Sequence, residues 1–109
     1  MSVKSSSTAD LIIEHLGGRE TLEKLGARDF AADEGHLSFV LGHHNPKGIH
    51  SVTISREPDG RFRITCHGRL KSGSLTAPKL GTATIDIPEN LASVFGQLTG
   101  IEILRHRHF

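Results

Sequence analysis

Arg61, Arg63, Thr65, His67 and Arg69 recur at every second position. In an extended chain that spacing puts three guanidinium groups, a hydroxyl and an imidazole on one side. A guanidinium presents paired donors in a fixed fork, so the strip is suited to holding phosphates, carboxylates or an acidic protein surface. Phe62, Ile64, Cys66, Gly68 and Leu70 occupy the other side. The pattern predicts a β-strand over 61–70 with one apolar and one cationic face. Lys47, in a preceding loop, and Arg105 and Arg107, near the end of the chain, complete the candidate binding set.

Other chemistries find less support. His43-His44, His106-x-His108 and Cys66-His67 are candidate ligand pairs, but no CxxC or HxxxH frame accompanies them, so no metal site is expected. The alternation sends Cys66 inward and His67 outward, which prevents these neighbours from forming a thiol–imidazole pair. Asp33, Glu34 and Asp59 fall in turns, and Gly17-Gly18 and Gly42 lack the rest of a phosphate-loop signature. Without convergent ionisable groups the chain reads as a non-enzyme that needs no cofactor.

The charge is unevenly spread. Residues 1–35 hold four Lys/Arg against seven Asp/Glu, residues 36–82 seven against two, and residues 83–109 two against three, giving −3, +5 and −1. Five of the eight histidines also lie in the basic middle, which points to association with an acidic partner. The absence of Trp and Tyr removes the side chains most used to stack on bases. A single Cys on an apolar strand face reads as a buried hydrophobe in a reducing compartment. With no apolar run in the first residues and none long enough to span a bilayer, a cytoplasmic chain without membrane association is expected.

The elements that must position the strip follow from the patterning. At 109 residues the chain is long enough for a single domain with its own core, with residues 1–6 and about 104–109 flexible. Ser7 with Asp10 resembles a capping box and starts a helix that buries Leu11, Ile12 and Leu16. Gly17-Gly18 separates it from a second short helix over Arg19 to Leu25, with Gly26 as its left-handed cap. From residue 28 the period becomes two. Phe30 and Ala32, then Leu37, Phe39 and Leu41, form a hairpin about Asp33-Glu34-Gly35, and 50–56 and 61–70 form another about Glu57-Pro58-Asp59-Gly60. Gly42 to Gly48 is a loop with Asn45-Pro46 as turn residues, and Lys71 to Lys79 is a flexible connection. A fifth strand over 82–87 turns Ala83, Ile85 and Ile87 inward. Pro88 and Glu89 then open an amphipathic helix with Leu91, Val94, Phe95 and Leu98 on one face, closed by Gly100. Residues 101–109 form a last short strand or a basic tail. The predicted fold class is α+β: an antiparallel meander of four to five strands, two short N-terminal helices and one C-terminal amphipathic helix, the helices on one face.

Leu16-Gly17-Gly18, Leu25-Gly26-Ala27, Phe30, Leu37-Ser38-Phe39, Leu41, Asn45-Pro46-Lys47-Gly48-Ile49, Val52-Thr53-Ile54, Leu91, Val94-Phe95 and Leu98-Thr99-Gly100 stand in an order that resembles small accessory proteins of tailed phages and prophages. The resemblance covers most of residues 11–101 and departs after Gly100, where this chain is basic. It implies a viral accessory protein and carries no functional residues across. The expected function is therefore a binding protein that blocks a host factor, of anti-CRISPR or other anti-defence type, through the basic sheet face or its rim loops. Its expected partner is a host or phage protein with an acidic surface, such as a nucleic-acid-processing complex. The alternatives are a nucleic-acid-binding accessory protein that contacts phosphates, and a structural or scaffold component that dimerises. Both monomer and homodimer remain open.

Overall fold

The computed structural model describes residues 8–33, 35–42, 45, 47–70, 73 and 75–101. Among these residues five strands make one antiparallel sheet in chain order: β1 Ala27–Asp33, β2 His36–Leu41, β3 Ser51–Arg56, β4 Phe62–His67 and β5 Lys79–Ile85. Helices α1 Thr8–His15 and α2 Arg19–Lys24 precede the sheet. A 3₁₀ turn at Pro88–Asn90 leads into α3 Leu91–Thr99. The α+β class and the meander are as the patterning predicts.

Strand alternation decides which face the helices cover. Phe62, Ile64 and Cys66 of β4 are buried while Arg63 is exposed. Ile64 stands between Ile54 of β3 and Ala83 of β5, and Cys66 stands between Val52 and Gly81. Ile12 of α1, Leu22 of α2, and Leu91 and Phe95 of α3 join these residues in one core. The Phe95 ring lies 6.3 Å from that of Phe39, tilted by 48°. Each such side chain contributes about 1.5–3 kcal/mol on burial, which holds helices of 8 and 6 residues that would not persist alone. Gly26 and Gly100 follow α2 and α3 at φ of 97° and 77°, where a side chain would be strained.

β1 keeps its apolar residues inward through an irregularity. Arg28 pairs with Val40 but Ala31 pairs with Ser38, so Asp29 and Phe30 together stand opposite Phe39. Asp29 takes a φ of 56°, a conformation that Asp tolerates better than most residues. The extra residue returns Phe30 to the inner side, where its ring sits 5.4 Å from Phe39 and 4.4 Å from the Arg19 guanidinium carbon.

Some expectations shift. β4 ends at His67, and Leu70, expected inside, is 59% exposed. β5 begins at Lys79 and ends at Ile85, so Ile87 leaves the apolar face and is 51% exposed. Ala32 shares the inner side with Leu37 but lies toward the sheet edge and is exposed. Leu11, Leu25, Val94 and Leu98 are only partly buried. Thr99, which the patterning passes over, is fully buried: its hydroxyl donates to the Phe95 carbonyl at 2.8 Å and accepts from the Ile101 N–H at 3.0 Å. The capping role of Ser7 and the form of residues 102–109 lie outside the described residues.

Candidate functional site

With the helices on one side, no element among the described residues covers the other side of the sheet. Register arranges it in rows. Ala31, Ser38, Thr53, Thr65 and Thr82 cross the middle of all five strands. The hydroxyls of Thr65 and Thr82 are 3.3 Å apart. Asp33, His36, Ser55, Arg63 and Thr84 form one flanking row; Arg28, Val40, Ser51, His67 and Lys79 form the other. Small hydroxyls thus make a low surface between two charged ends.

The ends differ in charge. At the first, Arg61 sits 2.8 Å from Asp59 and 3.7 Å from Asp86, which β5 brings alongside. The Arg61 backbone N–H also donates to Asp59 Oδ1 at 3.0 Å. The Arg61 side-chain hydrogen bond, followed by its backbone N–H, holds the Asp59 carboxyl below its usual range; the same carboxylate raises Arg61. Arg63 Nε lies 3.4 Å from Glu57, and His36 lies 3.9 Å from Asp33. Arg61 and Arg63 are thus largely compensated.

The second end is not compensated in this way. Lys47, Arg69 and Lys79 are exposed and make no ion pair among the described residues. His67 faces Lys79 across β4 and β5, and Arg28 ion-pairs among the described residues only with its neighbour Asp29, at 3.9 Å. The strip read from the sequence is therefore divided: Arg61 and Arg63 are engaged at one end, Thr65 sits mid-row, and His67 and Arg69 are at the other. Arg69 lies beyond β4 and helps line a cleft of about 520 Å³ with Leu41, Ile49 and His50 among others. Arg28 and Lys79 are additions that the patterning misses; it places Lys79 in the connection. Arg105 and Arg107 lie outside the described residues.

Asn45 builds the loop that carries Lys47. Its side-chain amide donates to the Ile49 carbonyl and its Oδ1 accepts the Ile49 N–H, both at 2.8 Å, while Gly48 N–H donates to its backbone carbonyl at 3.1 Å. Asn45 is a turn residue, as the sequence suggests, and it is buried. Asn45→Ala leaves buried backbone groups of Ile49 unsatisfied. It is expected to cost about 1–3 kcal/mol in a urea titration.

Cys66 is fully enclosed, and burial pushes its thiol up to about 11. Between about pH 9 and about pH 11 the folded chain keeps a proton that the unfolded chain has lost, so stability falls as pH rises through that window. Urea midpoints across the window are expected to decline more steeply for the native chain than for Cys66→Ala.

Among the described residues no three His, Cys, Asp or Glu side chains gather as a metal site. His43, His44, His106 and His108 lie outside them. No helix among the described residues is long and apolar enough to cross a membrane. Fold and face together define an α+β protein whose antiparallel meander is covered on one side and open on the other. Comparison with protein-family models, curated proteins and solved structures gives no match.

Proposed function

We propose that this chain is a small binding protein of phage or mobile-element origin that acts without catalysis in the host-cell cytoplasm. It lays the cationic end of its open sheet face on an acidic surface of a partner protein and blocks that surface. The observation that carries this reading is the contrast between the two ends. Arg61 and Arg63 are matched by Asp59, Asp86 and Glu57, whereas Lys47, Arg69 and Lys79 have no ion pair among the described residues. Cations in that condition are available to carboxylates of another molecule, and the low hydroxyl rows between the ends let a flat surface approach. The resemblance to phage accessory proteins supports a host factor, such as a CRISPR or other defence complex, as the partner.

Nucleic acid is the second reading, because the same cations serve phosphates. Against it, Phe30, Phe39, Phe62 and Phe95 all turn to the core, leaving no stacking platform among the described residues. Capture of partners from bacterial lysate with and without nuclease separates the two. A discrete protein is expected to survive nuclease and to be released as salt rises. Recovery of nucleic acid alone, lost after nuclease, would overturn the first reading in favour of the second.

A further inference from the structure

The cleft beside Arg69 adjoins the cationic end of the flat face and shares that residue with it. Its backbone is already committed: Gly42 N–H donates to the Gly26 carbonyl at 2.7 Å, Ile49 N–H to Asn45 Oδ1 at 2.8 Å and His50 N–H to the His67 carbonyl at 2.8 Å. These bonds fix the walls and leave side chains as the source of donors. Arg69 makes no ion pair among the described residues, and no Asp or Glu appears among the residues found to line the cleft. His50 Nδ1 is shielded from water and has no hydrogen-bond partner among the described residues. An unpartnered buried nitrogen is costly, and the torsion that orients an imidazole is broad, so a ligand that gives this ring a partner can turn it.

We infer that the cleft binds an oxyanion head group, carboxylate or phosphate, borne on a small organic body. The Arg69 fork takes two of its oxygens. His50 turns to donate a further hydrogen bond, and Leu41 and Ile49 meet the body of the ligand. The volume of about 520 Å³ exceeds what a bare oxyanion fills and lies in the range of small-molecule sites, roughly 300–1,000 Å³. The head group comes from a free small anion or from an acidic side chain of a partner. The site shares Arg69 with the cationic end proposed above, and small probes test it in the absence of the partner.

The test is NMR titration of isotope-labelled full chain with inorganic phosphate, AMP and N-acetylaspartate. Saturable shifts confined to the Arg69 Nε–H and the His50 ring are expected, weakened about tenfold or more in Arg69→Gln. His50→Leu weakens them as well, whereas Lys24→Gln, which removes an exposed charge on α2, leaves them unchanged. AMP binding most tightly assigns the site to free organic phosphates, and N-acetylaspartate binding most tightly assigns it to carboxylates that a partner presents. Shifts that do not saturate with any probe, or that persist unaltered in Arg69→Gln, would overturn the inference.

Discussion

Ile64→Glu is expected to abolish the cooperative unfolding transition and leave an unfolded or molten chain, whereas Arg63→Glu is expected to melt close to the native temperature. The two positions are adjacent, and strand alternation separates their fates. Ile64 is fully buried between Ile54 and Ala83 beneath the helices. An ionised carboxylate there has no partner and costs several kcal/mol beyond the lost apolar burial. That is a large part of the roughly 5–15 kcal/mol that holds a domain of ordinary stability. Arg63 is exposed, and among the described residues its one ion pair is with the Glu57 carboxylate at 3.4 Å. Reversing its charge exchanges a solvent-screened attraction for a screened repulsion, worth about 1 kcal/mol or less. Calorimetry or thermal circular dichroism of both variants checks the pair. A folded Ile64→Glu with an unfolded Arg63→Glu would mean that the sheet is turned over.

The second large effect is on binding. Arg69→Glu with Lys79→Glu reverses two exposed cations that have no ion pair among the described residues. Against an acidic partner the expected loss is on the order of 100-fold in affinity, carried by a slower association rate as well as faster release. Stability should change little, because neither side chain is buried. Association rates measured at low and high salt should converge for the native protein and this variant, since salt screens what the variant removes.

The inner face was legible from sequence because burial writes a strict period of two into β2, β3 and β4, and a buried face tolerates no slip in register. β1 was less so. Its alternation from Phe30 onward reads correctly, but nothing in Arg28-Asp29-Phe30 marks the extra residue at Asp29, since Asp is equally at home in a plain turn. Asn45 is legible as a turn residue, but its bonds to Ile49 depend on the loop folding back, which residue preference alone does not reveal. The candidate site was half legible. Alternation identified which side chains leave the core, but pairing decides which of them carry net charge. Asp86 neutralises Arg61 only because β5 lies against β4. Lys79 joins the opposite end only because β5 starts earlier than its apolar residues suggest.

The two ends of the open face differ in charge compensation, and binding to one partner tests most directly whether they differ in function. The partner captured from lysate, once purified, is titrated against the native chain, Arg69→Glu/Lys79→Glu and Arg61→Glu/Arg63→Glu at one ionic strength. The prediction is that the first double variant loses the affinity and the second keeps most of it, because Asp59, Asp86 and Glu57 already compensate Arg61 and Arg63. Equal losses in both variants, or loss only in Arg61→Glu/Arg63→Glu, would contradict the account.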